Sequence, residues 1–322
     1  MSQTRIGAVI LAAGKGTRLK TDAPKVLHEV CGRPMLAHVF DACRAAGAAE
    51  LVAVVGYKKQ SVIDAFPDDR IQWVEQAEQK GTGHAVMVCR EAVAGRFEHV
   101  LVLCGDGPLI RAETIRLLIE RHISADAAAT LATAEIADPS GYGRIVRDGE
   151  GRLLGIVEHG DCDAEQRRIR EVNPSYYCFR AADLLETLQQ VRPNNVKNEY
   201  YITDCIALLI ESGRTVNAIT AVPPEDILSI NSRQDLARVN AVMRERVNAR
   251  LMDSGVTIVD PANTWVDPLA EIGQDTVLYP FVMVSGAARI GRDCRIGPFA
   301  HVTAGMRLGD GVTLRGAVGG ES

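Results

Sequence analysis

The chain has 322 residues, more than a single hydrophobic core usually contains, so its length predicts two domains. Hydrophobic residues make up 47% of the chain and charged residues 24%, values typical of soluble globular proteins, which excludes a disordered or fibrous protein. The net charge of -5 argues against general affinity for nucleic acid, so an anionic substrate would need a local positive cluster.

Signals for membrane insertion or export are not recognisable in the sequence. The longest apolar stretches, such as residues 8–13, are far shorter than the ~20 residues of a membrane helix. The N-terminus shows no basic segment followed by an apolar core and a small-residue cleavage site. The eight cysteines form no Cys-x-x-Cys pair and have no histidines at ligand spacing, which favours reduced core cysteines over zinc ligands. We therefore expect a cytoplasmic protein that binds no membrane.

Short apolar runs alternate with amphipathic stretches in the first two thirds of the chain. Three runs rich in Val, Ile and Leu are predicted to be buried strands, at residues 7–11, 51–55 and 99–104. Three stretches are predicted to be helices, at residues 34–45, 81–92 and 112–119. The repeated order of strand, loop and helix predicts an α/β domain with a mostly parallel sheet. Because such sheets bind ligands at the carboxyl ends of their strands, the loops after Leu11 and Cys104 are the predicted site.

A single amphipathic helix is predicted to follow this domain. Its apolar residues are spaced three and four apart and form one stripe: Leu236, Val239, Met243, Val247 and Leu251. Ser232 followed by Asp235 resembles a capping box at its start. We therefore divide the chain into a first domain at residues 1–231, a connecting helix at 232–252 and a repeat domain at 253–322.

The repeat domain has a period of six residues. One aliphatic residue recurs at this interval, at Val266, Ile272, Leu278, Val284, Ile290, Ile296, Val302, Leu308 and Leu314. Two positions earlier the residue is mostly small, as at Ala270, Val282, Ala288, Cys294 and Ala300. This pattern predicts a parallel β-helix of about three coils, with three faces to each coil. Because so short a stack has few neighbours of its own, we expect it to associate with other subunits.

The loop after the first strand combines small residues with four cations. Residues 11–19 read LAAGKGTRL, and Lys15, Arg18, Lys20 and Lys25 supply positive charge. Small residues let a backbone approach phosphate oxygens, which its free amides attract. The spacing matches neither a P-loop nor the glycine fingerprint of dinucleotide-binding proteins. From the residues alone, a phosphate-binding loop and a glycine turn with solvated charges both remain open.

Several separated motifs resemble those of sugar nucleotidyltransferases. They are LAAGKGTRL with PKVL, QAEQKGTGHA at residues 76–85, GDGPL at 105–109, GYGRI at 141–145, GIVEH at 155–159 and EYYITD at 199–204. Together, over roughly residues 5 to 318, they resemble the bacterial N-acetylglucosamine-1-phosphate uridylyltransferase family. The resemblance implies a Rossmann-like nucleotidyltransferase domain followed by a short left-handed parallel β-helix, which associates as a homotrimer.

The resemblance also implies an activity: UTP and N-acetylglucosamine-1-phosphate give pyrophosphate and UDP-N-acetylglucosamine, a peptidoglycan precursor. It implies that the nucleotide is bound by Ala13, Gly14, Gln76, Gly81 and Thr82. It implies catalytic roles for Arg18 and Lys25, and Mg²⁺ ligation by Asp106 and Asn231. It implies that the sugar is bound by Gly143, Glu158, Asn173, Tyr201 and Thr203.

Structural roles are the alternatives at these positions. Gln76 could be a buried amide satisfied by backbone, Asp106 a turn cap, and Asn231 part of the helix cap beside Ser232. A surface turn and a surface acid are the alternatives at Gly143 and Glu158.

The sequence departs from the family in two places. Asn173 is followed by Pro174 and Ser175 instead of a small hydroxyl residue and glycine, which leaves the identity of the sugar open. The family also continues the β-helix into an acetyl-coenzyme A dependent acetyltransferase, whereas this sequence ends after about three coils, so we expect no acetyltransferase activity. Another sugar phosphate, dTTP in place of UTP, and a non-catalytic regulatory or scaffold homologue remain as alternatives.

Overall fold

The computed structural model describes residues 4–68 and 70–316. Their contacts define two compact units. The first contains the described residues up to 27 and residues 35–231, and the second contains residues 28–34 and the described residues from 232 onward. The boundaries assigned from the sequence remain a prediction. Within the described part of the chain, every helix is too short or too polar to cross a membrane.

The first eleven strands include nine that form the sheet of the first unit and two that form a short hairpin. They are β1 (Ile6–Leu11), β2 (Glu29–Val30), β3 (Arg33–Pro34), β4 (Glu50–Val55), β5 (Ile71–Glu75), β6 (His99–Cys104), β7 (Ala129–Glu135), β8 (Gly143–Arg147), β9 (Leu153–Val157), β10 (Glu171–Arg180) and β11 (Val216–Thr220). The helices are α1 (Met35–Ala45), α2 (Lys59–Asp64), α3 (Thr82–Met87), α4 (Arg90–Val93), α5 (Ala112–Ser124), α6 (Ala181–Thr187), α7 (Asp204–Glu211) and α8 (Arg233–Asp253).

The nine-stranded sheet of the first unit is mixed, as predicted. Its main order is β11-β7-β10-β6-β1-β4-β5, and β8 and β9 extend it beside β10. The β6-β1-β4-β5 half is parallel, with Val9 aligned with both Val52 and Val102. These three residues are almost fully inaccessible to solvent, which explains why the strands read as continuous apolar runs.

Strand β10 runs antiparallel to both of its long neighbours and contains an irregularity. Its register against β7 shifts between Val172 and Tyr176. Ser175 within this stretch has a positive φ of 66°. A bulge leaves residues out of the hydrogen-bond ladder, so Pro174, which has no N–H, fits here without loss of a ladder bond.

The prediction of one continuous helix at residues 81–92 is wrong. The structure has two helices, α3 and α4, separated at Val88 and Cys89. The backbone N–H of Cys89 donates to the carbonyl of Val86, a tight three-residue turn that interrupts the α-helical ladder. The helix predicted at 112–119 continues instead to Ser124.

In the second unit, α8 begins with a complete capping box. The Ser232 hydroxyl accepts from the backbone N–H of Asp235, and the Asp235 carboxylate accepts from the backbone N–H of Ser232. The predicted stripe is confirmed, because Val239, Met243 and Val247 are buried. The hairpin β2-β3 belongs to the same unit.

The repeats form ten short strands, one more than predicted. These are β12 (Thr257–Ile258), β13 (Trp265–Val266), β14 (Glu271–Ile272), β15 (Val277–Leu278), β16 (Met283–Val284), β17 (Arg289–Ile290), β18 (Arg295–Ile296), β19 (His301–Val302), β20 (Arg307–Leu308) and β21 (Thr313–Leu314). They pair in parallel as β12-β15-β18-β21, β13-β16-β19 and β14-β17-β20, the three faces of a short β-helix.

Each predicted aliphatic residue is the second residue of its strand, and most are buried. The small residues Ala288 and Cys294 are fully inaccessible, as the six-residue pattern predicted. Strand β12 was not predicted from the sequence, because a 3₁₀ turn at Pro261–Asn263 breaks the period between Ile258 and Val266.

Candidate active site

Parallel strands bring four loops of the first unit to one edge of the sheet. Backbone hydrogen bonds continue beyond the strands: Ala12 N–H donates to Val54 O at 2.8 Å, and Gly105 N–H donates to Leu11 O at 2.9 Å. The N–H of Gln76 donates to the carbonyl of Val55 at 2.8 Å. The loops after β1, β4, β5 and β6 therefore lie together at one edge of the sheet, the kind of edge at which such sheets bind ligands.

An open cleft of about 260 Å³ lies at this edge. Seven of the predicted nucleotide, catalytic and metal residues line it, from the segments after β1, β5 and β6: Ala13, Gly14, Lys25, Gln76, Gly81, Thr82 and Asp106. A ligand in the cleft would thus contact the glycine-containing loop and the acidic loop together.

The catalytic and metal residues predicted from the motifs converge on one cluster, which we call the Lys25 cluster: Arg18, Lys25, Asp106 and Asn231. The Lys25 ammonium donates to Asp106 Oδ2 at 2.5 Å and to Asn231 Oδ1 at 2.8 Å. A guanidinium nitrogen of Arg18 donates to the same Asn231 oxygen at 2.8 Å. Only 11% of the Lys25 side chain is exposed, so its charge is only weakly screened by water.

The loop after β1 places Lys25 by close packing. Gly16 has a φ of 67°, and a Cβ added there would lie 2.7 Å from Cβ of Lys25. A larger residue would therefore both strain the backbone and displace the lysine. Arg18 stands on a short 3₁₀ turn that is anchored by the fully buried Leu19.

Asn231 lies beside Asp106 because the segment before it is held at several points. The Ile230 N–H donates to the carbonyl of Asp106 at 3.0 Å. The Tyr176 hydroxyl donates to the carbonyl of Asp226 at 2.9 Å. Arg111 Nε lies 2.6 Å from the carboxylate of Asp226, whose side chain is fully buried. These contacts fix the end of the segment that carries Asn231.

Oxygen donors for a divalent cation are present in the Lys25 cluster. The Asp106 carboxylate and the Asn231 amide oxygen both lie within 2.8 Å of one positively charged nitrogen, so they already surround a cation. Hard oxygen atoms of this kind are the ligands that Mg²⁺ prefers, and substrate phosphates and water commonly complete its shell. The residues therefore fit a magnesium ion, provided that the Lys25 ammonium moves away from them.

Gln76, Gly81 and Thr82, three of the predicted nucleotide residues, line the cleft from the segment after β5. Gly81 has a φ of 104°, and an added Cβ would meet Tyr200 O at 2.5 Å, so a side chain cannot be accommodated. The Thr82 hydroxyl accepts from the backbone N–H of Ile202 at 3.1 Å. Thr82 thus holds the segment around residues 200–202 against the loop, in addition to the predicted contact with nucleotide.

Four of the five predicted sugar residues form two close pairs. The Thr203 hydroxyl donates to Glu158 at 3.3 Å, and a Cβ added to Gly143 would lie 3.7 Å from Asn173. Asn173 is buried and already bonded: its amide nitrogen donates to the Tyr177 hydroxyl at 2.6 Å, and its oxygen accepts from the Ser175 N–H at 3.0 Å. Its side chain therefore supports the bulge in β10, whatever else it contacts.

Burial raises the pKa of two groups in the sugar region. Desolvation raises the pKa of Glu158 above its usual value, partly offset by the Thr203 hydrogen bond. Desolvation, with smaller effects from Asp161 and Glu158, raises the pKa of Tyr201 to about 12. Tyr201 is thus a neutral donor at physiological pH. The structure places it near Glu158, although it records no direct hydrogen bond between them.

Comparison with known proteins identifies the domain that carries this cleft. Residues 8–196 match the family model described as MobA-like NTP transferase domain. The chain belongs to this family. Residues 269–304 also match the model for six bacterial transferase hexapeptide repeats, which agrees with the short β-helix.

Several curated proteins similar to this chain are named bifunctional protein GlmU. The protein of Pelotomaculum thermopropionicum is 47% identical over 86% of this chain and 60% of its own length. Those of Halalkalibacterium halodurans and Syntrophotalea carbinolica are 46% and 42% identical over 87% and 89% of this chain, each with 61% of the relative covered. The chain thus spans about 60% of the length of these relatives. This confirms the resemblance inferred from the motifs.

A solved structure shares the fold at low sequence identity. The crystal structure of UDP-glucose pyrophosphorylase complexed with UDP-glucose has a TM-score of 0.62, 18% identity, and coverage of 76% of this chain and all of its own. The nucleotidyltransferase fold predicted from the sequence is confirmed.

Two features around the cleft were not predicted from the sequence. The first is Cys104, which lines the cleft directly before the GDGPL motif. Burial, with a contribution from Asp106, raises its pKa to about 12, so it remains a protonated thiol and not a nucleophile. The second is the support of Asn231 by Tyr176 and Asp226, residues distant in sequence that no local pattern connects. The family resemblance implied that Asp106 and Asn231 share a magnesium ion, but not which residues hold Asn231 in place.

Proposed function

We propose that this chain is a sugar-1-phosphate nucleotidyltransferase that joins UTP to N-acetylglucosamine-1-phosphate and releases pyrophosphate. The observation that carries the proposal is the Lys25 cluster, which lies at the same cleft as Gln76 and Gly81. The identity of the GlmU relatives over most of this chain supports the choice of substrates.

The reaction is a direct displacement at the α-phosphorus of the triphosphate. An oxygen of the sugar phosphate forms the new P–O bond while the bond to the β-phosphate oxygen breaks, and pyrophosphate leaves with that electron pair. The attacking oxygen is already anionic, so no group of the protein needs to remove a proton. The work of the protein is to align two anions that repel each other and to neutralise charge as it moves to the leaving group.

Lys25 and Arg18 carry out the neutralisation. Lys25 is nearly buried, so its charge acts on a phosphate through a medium that screens poorly. Arg18 is exposed at the rim and presents a planar group with several donors, suited to the outer phosphates. Asp106 and Asn231 would hold magnesium, which supplies further positive charge for the phosphate oxygens and the leaving pyrophosphate.

Substrate selection divides between two groups of residues. Gln76, Gly81 and the backbone at Ala13 and Gly14 contact the base and ribose. Glu158 accepts hydrogen bonds from hydroxyls of the sugar, and Thr203 donates to them. Gly143 leaves room for the sugar ring. The raised pKa of Glu158 is relieved when sugar hydroxyls donate to its carboxylate, since hydrogen bonds to the charged form favour it.

The test is pyrophosphate release with Mg²⁺, UTP and N-acetylglucosamine-1-phosphate. A matched panel replaces UTP by dTTP, CTP or ATP, and the sugar by glucose-1-phosphate or glucosamine-1-phosphate. Highest kcat/KM for another pair would reassign the substrates but keep the reaction. A regulatory or scaffold homologue is indicated if no pair in a broad panel releases pyrophosphate while the folded protein still binds UTP.

The β-helix is proposed to assemble the chain into a homotrimer. Large apolar side chains are exposed on it, including Phe281 and Phe299, whose rings stack at 4.9 Å, and Met283. Exposed apolar groups of this size favour burial against another subunit. Light scattering at micromolar concentration should give three times the chain mass, and a clean monomer would contradict it.

Acetyl transfer is not expected of residues 1–322. Incubation of this polypeptide with acetyl-coenzyme A and glucosamine-1-phosphate should release no free thiol above the rate without protein.

A further inference from the structure

Gln76 is held by two partners on the same side-chain atom. Its amide nitrogen lies 3.1 Å from the carbonyl oxygen of Gly81 and 3.0 Å from Nδ1 of His84. A carbonyl oxygen only accepts hydrogen bonds, so the atom of Gln76 that faces Gly81 is the nitrogen and not the oxygen. His84 Nδ1 then accepts the second hydrogen, which requires the neutral ring with its proton on Nε2.

These two bonds determine what Gln76 offers to a ligand. A primary amide has two N–H donors, and both are used within the protein. Among the described residues, the structure records no donor to Oε1 of Gln76, and the side chain lines the cleft although it is almost fully buried. Gln76 therefore presents a hydrogen-bond acceptor to the cleft and has no free donor.

We propose that His84 is a specificity-determining positioning residue, which fixes the Gln76 amide so that the cleft selects pyrimidines with an imide N3–H. Uracil and thymine carry that N–H, whereas cytosine has a lone pair at N3 and would meet the acceptor with an acceptor. A site built around a hydrogen bond discriminates strongly against a ligand that leaves it unmade. This inference rests on the proposed function, since it assigns the base of the same site.

The GTGH sequence accounts for the geometry. Gly81, which accepts one bond, precedes α3, and His84 lies within the first turn of that helix. The helix is itself held by the bond from Gly83 N–H to Tyr200 O at 2.7 Å. Both acceptors for Gln76 thus belong to one short, anchored element, so the amide cannot turn over without losing both bonds at once.

The experiment compares the kinetics of UTP and CTP in two variants at His84. His84→Phe keeps an aromatic ring beside Tyr200 but removes the acceptor, and His84→Asn restores an acceptor near the position of Nδ1. We expect His84→Phe to raise KM for UTP about five- to ten-fold with kcat within about two-fold, because the lost bond acts on binding. The ratio of kcat/KM for UTP over CTP should fall by at least about five-fold, and His84→Asn should recover most of it. The matched control is His301→Asn, a histidine of the β-helix.

The results separate the inference from the proposed function. If the unmodified protein turns over UTP and His84→Phe keeps the same preference over CTP, or His84→Asn is as impaired as His84→Phe, the role of His84 is wrong. If the unmodified protein releases no pyrophosphate from any pair, the proposed function is wrong. Calorimetric binding of UTP and CTP to the same variants then decides the role of His84 without turnover. Circular dichroism of each variant confirms that it is folded.

Discussion

The ammonium of Lys25 lies 2.5 Å from the carboxylate of Asp106 and shares the side-chain oxygen of Asn231 with Arg18. Lys25 thus occupies the position where a divalent cation would meet these two oxygens. Two cations cannot share so small a space without strong repulsion. Binding of magnesium with nucleotide should therefore transfer Lys25 from the carboxylate to a phosphate.

Replacing Asp106 by Asn should remove most of the activity. The change keeps the shape of the side chain but removes the charge that faces Lys25 and would hold magnesium. We expect kcat to fall by roughly 100-fold or more. Pyrophosphate release measures it, with the exposed Asp64→Asn as the matched control. Near-normal turnover in Asp106→Asn would reject the metal assignment.

Replacing Lys25 by Met should strengthen metal binding in the absence of nucleotide, although it impairs catalysis. The lysine charge no longer competes for Asp106 and Asn231, so a divalent cation can approach both oxygen donors without repulsion from the ammonium. Electron paramagnetic resonance of Mn²⁺ should show a lower Kd in Lys25→Met than in the unmodified protein. Lys59→Met, which breaks an exposed ion pair with Glu75, is the control. A Kd unchanged or higher in Lys25→Met would mean that the lysine does not occupy the cation position.

Gly16→Ala should impair catalysis beyond its effect on stability. Its new Cβ would lie 2.7 Å from Cβ of Lys25 and force the lysine to move. Gly95→Ala provides the matched control, because Gly95 has a similar φ of 69° but open space around it. Both changes should cost about 1 kcal/mol of unfolding free energy from backbone strain. Only Gly16→Ala should lower kcat, and equal kcat values in the two variants would disprove the packing argument.

Acid should destabilise the first unit through His122. This residue is fully buried, bonded to His99 at 2.9 Å and to the Thr130 hydroxyl at 3.2 Å. Desolvation, with repulsion from His99 and Arg180, lowers its pKa from 6.5 to about 4. As the pH falls, the unfolded state therefore binds a proton at His122 before the folded state does. The contribution to stability is complete above pH 6.5 and is lost as the pH falls toward 4.

Denaturant unfolding at pH 7.5 and pH 5 tests this effect. Between these two pH values the free energy of unfolding should fall by on the order of 1–2 kcal/mol more in the unmodified protein than in His122→Gln, because glutamine cannot bind the proton. His301→Gln, at an exposed histidine, should behave like the unmodified protein. Parallel losses in all three proteins would show that folding does not lower the pKa of His122.

Ile296→Ala should destabilise the β-helix. Ile296 is fully buried and lies in β18, between the aligned Leu278 and Leu314 of β15 and β21. Removing its side chain leaves a cavity and should cost about 2–5 kcal/mol. Thermal unfolding should show a lower Tm than for Met283→Ala, where the side chain is 48% exposed. Equal Tm values would mean that the predicted inward face is not the core.

Local patterns in the sequence determined the elements and the class of fold. A period of six with one aliphatic residue is incompatible with a helix or an ordinary strand, so it specified the β-helix without any knowledge of contacts. Apolar runs such as residues 99–104 specified buried strands in the same way. The motifs, taken together and in order, specified the family. Where a turn interrupted a period, as before β13 and at Cys89, the same reasoning failed.

Tertiary structure alone decided how distant residues combine. Asn231 meets Lys25 across 206 positions because Ile230 pairs with Asp106 and Asp226 is held by Tyr176. The direction of the Gln76 amide likewise depends on the carbonyl of Gly81 and the ring of His84, and not on the residue type. Local propensity reflects neighbours within a few residues, whereas hydrogen bonds and ion pairs between distant segments exist only once the chain has folded.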